Sequence, residues 1–79
     1  MKFKNYSSLE EAIKEQYFDL YWIARKYLKN KSVVEDVLQE VLVKSLIYKL
    51  FNPGRMVSTY IIYRKIIREC FRANKTGTY

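Results

Sequence analysis

The stretch that decides the fold is SVVEDVLQEV, residues 32–41. Its apolar residues recur every three or four positions, which is the period of one face of an α-helix. Ser32 and Glu35 have the spacing of a capping box, in which side chains bond the free N–H groups at the start of a helix. The valines mildly disfavour a helix, but the period and the cap together outweigh that weak propensity. We therefore predict a helix over about residues 33–51, ended by the sequence NPG at 52–54. The predicted inward stripe of this helix is Val34, Leu38, Val41, Ser45 and Tyr48.

Two further helices are predicted on either side of this one. A second capping box, Ser8 with Glu11, starts a helix over about residues 8–29, and a third helix covers about residues 58–73. The polar residues 74–79 are expected to fray. Three amphipathic helices with short loops predict an all-α fold, a compact three-helix bundle that forms one domain. The predicted inward stripe of the first helix is Leu9, Ile13, Tyr17, Leu20, Ala24 and Tyr27.

Length and composition exclude several classes of protein. The chain has 79 residues, of which 49% are hydrophobic, and this fits one small folded domain rather than a disordered chain. One cysteine and no histidine exclude an intrachain disulfide, a Cys–His metal site and catalysis by a Ser–His or Cys–His pair. We expect no enzyme activity, no cofactor and no metal.

The net charge of +7 is confined to the second half of the sequence. Residues 1–40 carry seven Lys or Arg and seven Asp or Glu, whereas residues 41–79 carry eight Lys or Arg and a single acid, Glu69. This asymmetry predicts an anionic partner for the second half. Because no signal peptide and no apolar run of about 20 residues is visible, we expect a cytoplasmic protein with no membrane association.

Helix two has a polar face opposite its predicted inward stripe. Asp36, Gln39 and Glu40 are spaced i, i+3 and i+4 and so share one surface, which Val43 and Ile47 continue. Polar groups around an apolar centre favour a protein-docking patch. The alternative is a solvated face with two stray apolar residues.

The third helix carries a basic stripe. Tyr60 and Tyr63 lie at the edge of this stripe, and arginines beside aromatic rings favour a surface for opened or single-stranded DNA. A solvated face that only aids solubility, and a helix that lies on an anionic membrane, are the alternatives. The stripe comprises Arg64, Arg68, Arg72 and Lys75, with Lys65 at its flank.

Three other features allow more than one interpretation. The loop at 51–56 offers Asn52, Gly54 and Arg55 for reading base edges, but an Asn-Pro-Gly turn also needs no function to explain it. Trp22 is predicted to be a core residue or an interface anchor. The apolar position of Cys70 predicts that its thiol is buried.

The sequence resembles conserved region 2 of bacterial RNA polymerase sigma factors, especially the small extracytoplasmic-function type. The resemblance is carried by YFDLYWIARKYL at 17–28 and VEDVLQEV at 34–41, where the E-D-x-x-Q-E-V core of the family is intact. Val34 and Leu42 replace the usual Ala and Phe. The third helix matches more loosely, since Ser58 and Lys65 stand where the family has Trp and Asn.

The resemblance implies roles for all three surfaces. In the family the E-D-x-x-Q-E helix docks on the coiled coil of the polymerase β′ clamp, and the following loop captures a flipped base of the promoter −10 element. The last helix holds the non-template strand. The implied clamp residues are Asp36, Gln39, Glu40 and Val43, and the implied DNA residues are Asn52, Gly54, Arg55, Tyr60, Tyr63, Arg64, Lys65, Arg68 and Arg72.

The resemblance also raises an expectation about partners. Complete sigma factors continue into a helix-turn-helix domain that reads the −35 element, and the sequence ends at Tyr79 without one. We therefore expect a transcription initiation module that works with RNA polymerase core, promoter DNA and a separate sigma-like protein that supplies −35 recognition. The alternative is a regulator that binds a sigma factor or the polymerase without contacting DNA.

Overall fold

Three helices and one two-stranded ribbon make up residues 1–75, which are the residues that the computed structural model describes. The predicted all-α three-helix bundle is confirmed. The ribbon is antiparallel and pairs Asn5 with Ser58 and Tyr6 with Val57, a feature that the sequence did not predict. In chain order the elements are β1 (Asn5–Tyr6), α1 (Leu9–Tyr27), α2 (Lys31–Phe51), β2 (Val57–Ser58) and α3 (Thr59–Lys75).

The starts of α1 and α2 are capped by different residue types. At α1 the Ser8 hydroxyl accepts a hydrogen bond from the Glu11 N–H at 3.2 Å, which is the first half of the predicted capping box. The Glu11 carboxylate accepts from the Ser7 hydroxyl at 3.1 Å. At α2 the predicted Ser32 cap is wrong: the side chain of Asn30 accepts from the N–H groups of Ser32 and Val33 at 2.8 and 3.4 Å. Asn caps a helix at least as well as Ser, so the earlier Asn starts α2 at Lys31.

The core lies where one face of each helix meets the other two. Residues that α1 and α2 bury at this junction include Leu20, Ala24, Val34 and Leu38. Trp22 was predicted to be a core residue or an interface anchor. It is 49% exposed, which excludes the first interpretation and keeps the second as a prediction. The residues that α3 buries are Thr59, Ile62, Ile66 and Cys70.

Cys70 is fully buried, as predicted. Burial, with a smaller contribution from the carboxylate of Glu69, raises the pKa of the Cys70 thiol to about 11. The thiol therefore stays protonated and packs as a small apolar group.

The last turn of α3 docks against the end of α1. The Asn74 side-chain amide donates to the carbonyl of Tyr27 at 3.1 Å, and Ala73 packs against the core. Asn74 and Lys75 therefore continue the helix, although we predicted that they would fray. Residues 76–79 of that predicted tail lie outside the described residues.

Candidate functional site

The predicted clamp residues share one exposed surface of α2, which we call the docking face: Asp36, Gln39, Glu40 and Val43. All four line one shallow depression together with Lys44 and Ile47. Val43, at its centre, is 47% exposed. The docking face is therefore a polar rim around an apolar centre.

An ion-pair chain connects the docking face with α3. Glu40 pairs with Lys44 at 3.2 Å, Lys44 approaches Glu69 at 4.0 Å, and Glu69 holds Arg72 at 3.3 Å. Most of these side chains are exposed, and exposed pairs contribute little to stability. They do reduce the charge that Glu40 and Arg72 present to a partner, whereas Asp36 has no ion pair within residues 1–75.

An apolar groove between α1 and α2 adjoins the docking face. It is lined by Ile13, Tyr17 and Leu42, and it shares Gln39 and Val43 with the docking face. The sequence placed Ile13 and Tyr17 on the inward stripe of the first helix, but the structure leaves both partly open to solvent. Both residues line this groove instead of being enclosed between the helices.

The basic stripe of α3 is exposed along its length. Arg64, Arg68 and Arg72 point to solvent, while Lys65 is half-buried with its ammonium 5.8 Å from the centre of the Tyr48 ring. The guanidinium of Arg64 lies 6.0 Å from the centre of the Tyr60 ring. Such cation–π contacts orient the charged groups without neutralising them.

The rings at the edge of the basic stripe form a cluster with a residue that the sequence did not single out. Phe3 packs edge-on against Tyr60, with ring centres 5.2 Å apart, and lies tilted by 45° against Tyr63 at 5.0 Å. Tyr60 is 47% exposed and Tyr63 is half-buried.

The loop between α2 and β2 is organised by Lys49. Its ammonium donates to the carbonyl of Pro53 at 3.0 Å and to that of Arg55. The side-chain amide of Asn52 donates to the Tyr48 carbonyl at 2.9 Å, so this amide closes the helix end instead of pointing outward for base recognition. At Gly54 an added Cβ would have no atom within 4 Å, so space does not require a glycine there.

A cavity of about 270 Å³ lies between this loop and the first turns of α3. Its size is near the lower end of small-molecule sites, about 300 Å³. Apolar side chains form one part of its wall and cations the other. The lining residues that the sequence did not predict are Tyr48, Lys49, Met56 and Ile61, and those that it did are Arg55 and Lys65.

A group of exposed aromatic side chains lies on the outer side of α1. Phe18 and Trp22 pack edge-on with ring centres 6.0 Å apart, and Tyr21 contacts Trp22 at 5.5 Å. Phe18 is 70% exposed. We call these three residues the aromatic patch. It belongs to neither the docking face nor the basic stripe.

Neither a metal cluster nor a membrane span accompanies these surfaces. Residues 1–75 contain no group of three or more His, Cys, Asp or Glu positioned to hold a metal ion. None of the helices in that range is long and apolar enough to cross a membrane.

Comparison with known families adds one finding to this geometry. The family model described as Sigma-70 region 2 matches residues 13–76. No curated protein and no solved structure matched the chain. The matched range contains the docking face, the loop and the basic stripe, and it leaves out β1 and the residues before it.

Proposed function

Because the chain belongs to the Sigma-70 region 2 family, we propose that it is a transcription initiation module that binds the β′ clamp and melts the promoter −10 element. Proteins of this family are non-enzymatic initiation factors that bind core RNA polymerase and promoter DNA. The observation that carries the proposal is the presence of two chemically opposite surfaces on one small bundle: the docking face on α2 and the basic stripe on α3.

The docking face suits a partner with basic side chains around an apolar contact. Asp36 and Gln39 stand free at the rim, while Val43 and Ile47 give the centre an apolar surface. Interfaces combine a polar rim with an apolar core in this way. The neighbouring groove at Ile13 and Tyr17 widens the apolar contact, which suits two packed helices such as those of the clamp coiled coil.

The basic stripe suits the non-template strand. Arg64 and Arg68 are one helical turn apart and have no carboxylate within ion-pair distance in residues 1–75, so both are available for phosphates. Tyr60 offers an exposed ring on which an unstacked base can lie.

The cavity beside the loop suits a flipped base of the −10 element. Met56 and Ile61 provide an apolar wall for the faces of the base, while Arg55 and Lys65 provide donors near its edge and its phosphate. We assign base capture to this cavity and not to the Asn52 amide or the Gly54 backbone, the positions expected from the sequence. Asn52 keeps a role in shaping the loop.

We assign −35 recognition to a separate sigma-like partner protein, as in a sigma factor made of two subunits. The aromatic patch supports a protein contact, because Trp22 is 49% exposed and Trp is among the side chains that most often anchor protein interfaces.

The clamp assignment predicts the effect of changing Asp36 and Gln39. We expect Asp36→Ala with Gln39→Ala to lower the affinity for purified core polymerase at least tenfold, since losing even one hydrogen bond to a charged group costs about 1.5–3 kcal/mol and about 1.4 kcal/mol is tenfold. The matched control is Glu15→Ala with Asp19→Ala, exposed polar residues of α1. Equal retention by both variants would rule out this face as the clamp site.

The DNA assignment predicts a change in salt dependence. Arg64→Ala with Arg68→Ala should weaken binding to a single-stranded −10 oligonucleotide and reduce the salt slope by about 0.7 for each lost phosphate contact. Fluorescence anisotropy at several salt concentrations measures both quantities, with Lys14→Ala and Lys26→Ala on α1 as the control. Unchanged binding would favour the regulator that makes no DNA contact.

The cavity predicts dependence on a single base. A −10 oligonucleotide lacking the captured base should bind about fivefold or more weakly to the wild type, the loss expected for one base contact. Met56→Ala with Ile61→Ala should bind the complete and the abasic oligonucleotide alike, whereas Ile47→Ala should behave as wild type. A variant that still discriminates between the two oligonucleotides contradicts this assignment.

The partner assignment predicts that transcription depends on a second protein. Purified core polymerase with this protein should initiate at its promoter in vitro only when the sigma-like partner is added. Phe18→Ala with Trp22→Ala should lower that activity roughly tenfold or more while retention of core polymerase stays at the wild-type level. Initiation without any partner would contradict the assignment.

A further inference from the structure

The N-terminal segment before α1 is tied to the start of the DNA-facing helix. The backbone N–H of Lys4 donates to the Thr59 hydroxyl at 2.9 Å, and the N–H of Thr59 donates to the Lys4 carbonyl at 3.0 Å. Gln16, buried in α1, donates to the carbonyl of Lys2 at 2.9 Å. The antiparallel pairing of β1 with β2 continues this attachment. Residues 2–6 therefore have a defined position beside the first turn of α3.

Phe3 is placed by these bonds against the proposed stacking residues. Its ring contacts Tyr60 and Tyr63, and the three rings with Arg64 form one continuous aromatic and cationic surface. Phe3 remains 38% exposed, whereas Tyr6 on the adjoining strand is 6% exposed and belongs to the core. The two aromatic residues of the segment thus differ: Tyr6 packs inward, and Phe3 stays at the surface where it can take a further contact.

The charge of the segment has the same sign as the surface that it joins. Lys2 and Lys4 are exposed and form no ion pair within residues 1–75, and the first acid of the chain is Glu10. Lys2 and Lys4 flank Phe3 in the sequence. Cations beside an exposed ring are suited to contacting a phosphate backbone while a base stacks on the ring.

We propose that residues 2–4 are part of the single-strand binding surface: Phe3 stacks on a base next to Tyr60, and Lys2 and Lys4 contact the adjacent phosphates. The inference rests on the proposed function of the basic stripe, which it extends beyond the residues that match the Sigma-70 region 2 model. Sequence patterns do not reveal this surface, because Phe3 and Tyr60 are far apart in the chain and are brought together by the ribbon and by the hydrogen bonds of Lys2 and Lys4.

The test uses the full chain and a labelled single-stranded oligothymidine, read by fluorescence anisotropy at several salt concentrations. Lys2→Gln with Lys4→Gln should reduce the salt slope by about 1.4, which is two single-strand phosphate contacts. Phe3→Leu keeps an apolar side chain over Tyr60 and Tyr63 but removes the ring, and it should weaken binding about fivefold or more. Thermal unfolding of each variant verifies that the fold is retained.

Two comparisons make the result decisive. The charge-matched control Lys14→Gln with Lys26→Gln, on α1, should leave the slope near the wild-type value. If Lys2→Gln with Lys4→Gln behaves like this control while Arg64→Ala with Arg68→Ala loses binding, the inference is overturned and the basic stripe stands. If the arginine variant also binds like wild type, the proposed DNA function itself fails. Tighter binding by Phe3→Leu would likewise overturn the inference, since Phe3 would then cover the stacking site.

Discussion

The burial of one stripe of α2 is the constraint on which the rest of the structure depends. Val34, Leu38 and Val41 are almost completely removed from solvent between α1 and α3. Burying a side chain of this size contributes about 1.5–3 kcal/mol, so rotating the helix to expose the stripe would cost most of the stability of a small domain. Because an α-helix is rigid, fixing the inward stripe also fixes the direction of Asp36 and Gln39. The docking face is thus set by the core and not by any contact of its own.

The same constraint separates the two charged surfaces. α2 turns its acidic side chains away from the core, and α3 does the same with its arginines, so the two surfaces lie on different helices of one bundle. Within residues 1–75, an ion-pair chain from Glu40 through Lys44 and Glu69 to Arg72 connects them. The surfaces that we assign to a basic protein partner and to an anionic strand therefore have no residue in common.

The sequence predicted the three helices, but its predictions of caps and inward faces were wrong where these depend on neighbouring residues or elements. The N-cap at Ser8 holds because it is a local interaction among a few residues. At α2 two cap candidates compete within a few residues, and the earlier Asn30 starts the helix. The periodicity of α1 placed Tyr17 on the inward stripe, but in the bundle it lines the groove between α1 and α2 and is 38% exposed.

The proposed base-capture site illustrates the same limit. From the sequence the loop residues Asn52 and Gly54 were among the natural candidates, because amides and exposed backbone suit base recognition. In the folded chain the Asn52 amide is used at the end of α2, and the cavity is lined by Met56, just before β2, and by Ile61, in the first turn of α3. No single period places those two residues on one cavity, since β2 and the start of α3 lie between them.

By itself, the sequence determined the three helices, the face that each turns inward and the charge of the face that each turns outward. These depend on the 3.6-residue period and on local composition, and both are properties of the sequence itself. Only the tertiary structure decided that Phe3 meets Tyr60 and Tyr63, that Trp22 lies at the surface, and that a cavity forms behind the loop. Each of these requires segments far apart in the chain to come together, and a two-residue strand such as β1 is too short to leave a periodic signal.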